Sequence, residues 1–157
     1  MRFSITRWIG RRTDRLLNRP VALFDGAGEK WDKDRVGRFG EEAAARWLRL
    51  EAGCRILYRN FRAPEGGEVD ITCRDGATLV FAEVKTLTSD LYGRPAFAVD
   101  PEKQRLIIRG AREWMRLLEW PRIVFRFDII EVQLADQKRP TVTWLRSAFH
   151  LPEQERW

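Results

Sequence analysis

The chain has 157 residues, 44% hydrophobic and 33% charged, which suits one domain with a real core. Its 29 Lys and Arg against 23 acidic residues give a net charge of +6 and point to a polyanionic partner, either nucleic acid or an anionic membrane surface. One histidine (His150) and two cysteines (Cys54 and Cys73) exclude a zinc site built only from Cys and His and a disulfide framework, so a reducing cytoplasm is the expected setting. No apolar run approaches the ~18 residues that a membrane span needs.

Residues 1–20 hold six arginines against Asp14 alone, a net +5 that leaves +1 for the rest of the chain. Ile5, Trp8, Ile9 and Leu16 fall on one side of a helix drawn through this arm. Pro20 and residues 25–28 read as a linker. The expected organisation is therefore a basic arm and linker over 1–30, a domain over 31–150 and a tail over 151–157. A solvated basic tail that raises affinity for nucleic acid is the favoured use of the arm. An amphipathic helix on anionic lipid and an upstream start without a role are the alternatives.

The first helix is predicted over 34–51, with Asp34 as N-cap and Gly53 as its stop. Val36, Gly40, Ala43, Ala44 and Trp47 form its apolar face. Gly37 and Gly40 would let it approach a sheet closely. Strands are expected over 55–61, 68–74 and 78–86, with Asp75-Gly76 as a hairpin turn between the last two. A loop over 89–98 contains Gly93 and Pro95. A second helix starts at Pro101 and ends near Trp120, and strands follow over 122–132 and 141–146. The order α-β-β-β-α-β-β predicts an α/β fold, a mixed central sheet flanked by helices.

Chemistry concentrates on the third strand. Leu79, Phe81, Glu83 and Lys85 share one side, which begins apolar and ends charged, as a sheet does on leaving its core for a cleft. On the second strand, alternation groups Val69, Ile71 and Cys73 on one face and Glu68, Asp70 and Thr72 on the other. The hairpin brings Asp70 close to Glu83. Two carboxylates at adjacent strand ends suit Mg²⁺, and a carbonyl from Val84 would add an oxygen. Lys85 would position or deprotonate an attacking water, or stabilise a pentacovalent phosphate. Glu41, on the first helix, is expected within reach of the metal. The bland reading of Glu83 and Lys85 is an ordinary ion pair at a strand end.

Gly37-x-x-Gly40-Glu41-x-x-Ala44, Asn60-x-Arg62, Gly67-Glu68-Val69-Asp70 and Phe81-Ala82-Glu83-Val84-Lys85 together resemble the YraN-like family of bacterial endonuclease-like proteins. Gly93-Arg94-Pro95, Ala98-Val99, Lys103-Gln104-Arg105 and Phe127-Asp128 continue the pattern in order. The resemblance covers roughly residues 33–132. It implies a restriction-endonuclease-like fold of the PD-(D/E)xK superfamily, with Holliday-junction resolvases as relatives. It also implies a Mg²⁺- or Mn²⁺-dependent endonuclease acting on DNA, with branched or damaged DNA as candidate substrates and a homodimer as the assembly. Asp70, Glu83 and Lys85 match its core motif, and Glu41 matches the helix glutamate that such nucleases add to the metal shell. Gln104 falls where some members carry a polar helix residue near the site.

Arg105, Arg109, Arg112 and Arg116 share one face of the second helix and form a candidate phosphate-contacting stripe, or simply a solvated face. Trp47, Trp114, Asp128 and both cysteines are expected to be structural, and His150 to be a surface residue. Two other functions remain open from sequence. One is a non-catalytic nucleic-acid-binding protein, and the other is a membrane-surface or protein-interaction module acting through the arm.

Overall fold

The computed structural model describes residues 5–8 as backbone and residues 14–88 and 99–153 in full. Ile9, the 89–98 loop with Gly93 and Pro95, and the last four residues lie outside the described residues. The elements are β1 (Ile5–Trp8), α1 (Lys33–Leu50), β2 (Arg55–Arg62), β3 (Glu68–Asp75), β4 (Thr78–Thr88), α2 (Pro101–Leu117), β5 (Phe125–Leu134) and β6 (Thr141–Phe149). They form one six-stranded sheet in the order β1-β6-β5-β4-β3-β2. Only β4 and β5 run parallel, and α2 makes the crossover that a parallel pair requires. The expected order is present with β1 added in front, and it is a restriction-endonuclease-like arrangement.

The two helices cover opposite faces. Ala43, Ala44, Trp47 and Leu48 of α1 pack on Ile71, Val80, Ala82 and Trp144. Ile107, Ala111 and Met115 of α2 pack on Leu79, Phe81, Phe127 and Ile129. Alternation along β4 thus sends Val80 and Ala82 to α1 and Leu79 and Phe81 to α2. Among the described residues no helix is long and apolar enough to cross a membrane.

Asp32, rather than Asp34, caps α1, accepting the Arg35 N–H at 2.7 Å, and Asp34 sits in the first turn, where its charge faces the positive helix end. Asp100 caps α2 in the same way through the Lys103 N–H at 2.9 Å. Cys54 and Cys73 are both buried and unpaired in a disulfide. Their thiols hydrogen-bond to each other, which holds Cys54 below and Cys73 above the usual thiol range.

The arm departs from the helix drawn through it. Residues 5–8 pair with β6 from Ile5↔Leu145 to Trp8↔Val142. A β-edge with open hydrogen-bonding groups recruited a short segment whose own pattern is helical. The segment read as a linker is not detached either. Leu17, Val21 and Leu23 are buried in the α1-side core, and the Asp136 carboxylate accepts the Leu23 N–H at 2.8 Å.

Gly40 lies against β4, where a Cβ would meet Thr86 Oγ1 at 1.8 Å, whereas a Cβ at Gly37 meets nothing within 4 Å. Only one of the two glycines therefore serves the close approach. Gly37→Ala is expected to stabilise the protein by about 0.5–1 kcal/mol, since alanine is the better helix former. Gly40→Ala is expected to destabilise it by about 1–3 kcal/mol through overpacking. Chemical denaturation of the two variants checks both signs.

Candidate active site

The site begins with a local irregularity in β2. Asn60 has φ 54°, a left-handed conformation that Asn tolerates better than most residues. The register runs Arg59↔Ile71 and Phe61↔Val69, so Asn60 stands opposite Asp70. Both strands turn over at this step: Phe61 and Val69 pack on the α2 side, and Ile71 on the α1 side. The regular alternation predicted for Val69, Ile71 and Cys73 therefore breaks between the first two. The β3–β4 ladder extends from Asp75↔Thr78 to Ile71↔Ala82. Beyond it, Asp70 Oδ2 accepts the Val84 N–H at 2.8 Å, so a side chain continues what the backbone pairing leaves off.

Glu83 faces the α2 side and is 7% exposed. Its Oε1 lies 3.2 Å from Lys103 Nζ, while its Oε2 is buried without a hydrogen-bond partner. Burial first, then the neighbouring Asp70 charge, pushes the Glu83 carboxyl up to about 8 against the pull of Lys103. Lys103 also bonds to Glu68, whose other oxygen accepts Arg62 Nη1 at 3.0 Å. Burial works against the Lys103 charge, but Glu68, Glu83 and Asp70 outweigh it and hold the ammonium above the usual lysine range.

A pair of glycines makes this contact. A Cβ at Gly67 would meet the Gly110 backbone N at 2.3 Å, and one at Gly110 would meet Val69 at 2.9 Å. The start of β3 thus lies directly on α2, next to the helix that carries Lys103. Sequence reasoning quoted Glu68 and Lys103 within motifs but gave them no place in the site. The signal was the glycine before Glu68 together with an Asp100 cap that sets Lys103 in the first helical turn.

Lys85 is half-buried and follows Glu83 on the same strand face. Its ladder neighbour is Glu131, which is fully buried and accepts Gln133 Nε2 at 3.0 Å. Glu41 takes a different place. It lines a cleft of about 370 Å³ on the α1 side with Val84, Thr86 and Trp31. Val84, which lines that cleft, donates its N–H to Asp70. Among the described residues no three acidic, His or Cys side chains converge as a metal-holding group.

Of the α2 arginines, Arg105 and Arg109 are exposed, Arg112 is half-buried and Arg116 is paired with Glu113 at 2.7 Å. Gln104 donates to the Val99 carbonyl at 2.9 Å, so it is Lys103, one residue earlier, that reaches the acidic pair. Asp128 is fully buried and holds Arg126, the Trp144 indole and the Ser147 N–H. Trp47 is buried, Trp114 meets Tyr58 and Phe61 edge to face, and His150 is exposed.

The donors suit a hard divalent cation. Burial, and after it the neighbouring Asp70 charge, pushes the Glu83 carboxyl up to about 8, and one buried Glu83 oxygen has no hydrogen-bond partner. A cation between the two carboxylates would remove both faults, and Mg²⁺ takes one or two carboxylates with water in its remaining positions.

The model of the uncharacterised protein family UPF0102 matches residues 40–132, a span that holds Glu41, Asp70, Glu83, Lys85 and Lys103. The chain belongs to this family. A UPF0102 protein of Solibacter usitatus is 43% identical over 114 residues, covering 72% of this chain and 84% of its own length. One from Trichlorobacter lovleyi is 44% identical over 117 residues, covering 74% and 91%. One from Anaeromyxobacter dehalogenans is 42% identical over 128 residues, covering 81% and 93%. The matched stretches thus cover most of this UPF0102 chain and nearly the whole of these relatives.

Proposed function

We propose that this UPF0102 protein is a metal-dependent endonuclease that hydrolyses phosphodiester bonds in DNA. The observation that carries the reading is the buried Glu83 carboxylate held against Asp70 with one oxygen unpartnered, at the point where β3 and β4 part. Asp70 and Glu83 would hold Mg²⁺ or Mn²⁺, which supplies an acidified water and charge neutralisation at the phosphate when bound. Lys103 offsets part of the buried negative charge and fixes the Glu83 carboxylate from the α2 side. Lys85, two residues after Glu83 on the same strand, would orient the attacking water or stabilise charge on the phosphate. Val84 supplies its N–H to Asp70 and so fixes that carboxylate. Glu41 belongs to the neighbouring cleft and joins the metal shell only through a shift of its side chain.

Purified protein with Mg²⁺ or Mn²⁺ is to be tested on duplex, single-stranded and four-way-junction DNA. Metal-dependent cleavage of at least one substrate is expected. No cleavage of any of them, or cleavage that persists in EDTA, would overturn the reading.

A further inference from the structure

A second charged cluster lies on the other side of β2. Arg46 and Arg49 of α1 and Arg55 and Arg59 of β2 line a cleft of about 350 Å³ that also contains Ala45, Cys54 and Ile56. Glu42 is the one carboxylate lining it, so the local charge is +3. That carboxylate accepts Arg46 Nε at 2.6 Å and Arg59 Nη1 at 2.5 Å, which fixes two guanidinium groups in the wall. Asp14 holds Arg46 from outside the cleft at 3.2 Å. The hydrogen bond from Arg46 leads in keeping Glu42 below the usual carboxylate range, so the clamp stays charged.

One buried donor and two exposed guanidinium groups are left over. Arg59 Nε is buried with no hydrogen-bond partner. Arg49 and Arg55 are exposed, and neither is in an ion pair among the described residues. Glu42 and Asp14 compensate Arg46 and Arg59, and the surplus positive charge of the cleft rests on Arg49 and Arg55, where an entering anion would offset it. Guanidinium forks match the oxygens of a phosphate. Arg59 pairs with Ile71, the residue after Asp70, so the cleft lies one strand from Asp70, on the α1 side of the sheet, while Glu83 faces α2.

We propose that the α1–β2 cleft binds backbone phosphates of the nucleic acid whose scissile bond lies at Asp70 and Glu83. This rests on the nuclease reading for its substrate but not for its test. The α2 row differs in kind. It follows a convex helix surface, and its last member is already neutralised by Glu113.

The test is the affinity of the full chain for fluorescent duplex and single-stranded DNA in EDTA, as a function of salt. Arg49→Glu with Arg55→Glu is expected to weaken binding by about tenfold or more, and to lower the salt slope by about two for two lost phosphate contacts. Arg105→Glu with Arg109→Glu makes the same charge change and is expected to cost less than about threefold. All four positions are exposed, and unchanged melting temperatures would verify the folds. Equal losses in the two variants, an unchanged slope in the first, or no binding by the unaltered protein would overturn the proposal. If Arg49 and Arg55 matter for binding but nothing is cleaved in Mg²⁺, the cleft stands and the nuclease reading falls. Cleavage with binding indifferent to Arg49 and Arg55 gives the reverse.

Discussion

Glu83→Gln is expected to make the metal-free protein more stable at alkaline pH while removing its cleavage of DNA. The native state holds the Glu83 carboxyl up to about 8, whereas the ordinary value is 4.5. Near neutral pH the folded protein therefore keeps a proton that the unfolded chain has released. Raising the pH through this window draws stability from the native state, and the loss is complete above about pH 8. At about 1.4 kcal/mol per unit, the full effect is roughly 3–5 kcal/mol, of which Gln recovers a part because Lys103 loses one of its two carboxylate partners. Melting temperatures from pH 5 to pH 9 in EDTA should fall for the unaltered protein and stay nearly level for Glu83→Gln. A parallel fall in both would remove Glu83 as the cause. Stability gained where activity is lost is the expected mark of a functional carboxylate that the fold tolerates at a cost.

Asp70→Asn and Lys85→Met should each reduce metal-dependent cleavage at least about a hundredfold, by different routes. Asparagine still accepts the Val84 N–H, so the fold survives, but the charge that faces Glu83 disappears. Divalent-cation affinity should therefore fall, and the decline of stability with rising pH should become shallower. Lys85→Met leaves both carboxylates in place. Its loss should appear in kcat with KM and cation affinity close to those of the unaltered protein. Single-turnover cleavage with Mg²⁺ titrations separates the two, and a Lys85→Met variant that cleaves normally would leave Lys85 as the strand-end ion pair considered from sequence.

Much of this architecture was written locally. The turn of the β3–β4 hairpin is Gly76-Ala77, one residue on from the predicted Asp75-Gly76, with Gly76 at φ 58°, and Pro101 behind an aspartate starts α2. The closeness of Asp70 to Glu83 was legible because they lie on two strands joined by a two-residue turn. What escaped depends on distant partners. β1 is strand only because β6 offers it an edge, and its own residues read as helix. Lys103 joins Glu83 only because Gly67 and Gly110 let β3 lie on α2, a contact between residues 43 positions apart. The turnover at Asn60 is invisible to alternation, which assumes a regular strand. Leu17 was hidden among Arg15 and Arg19, and Val21 and Leu23 between Pro20 and the glycines at 26 and 28, although their own apolarity carried them into the core.

The cation site itself is the central claim, and titration calorimetry with Mn²⁺ tests it most directly. At pH 7.5 the unaltered protein should bind Mn²⁺ saturably and release a proton as Glu83 ionises, seen as a heat that depends on the buffer. Asp70→Asn and Glu83→Gln should bind much more weakly. No saturable binding, or equal binding in both variants, would contradict the account.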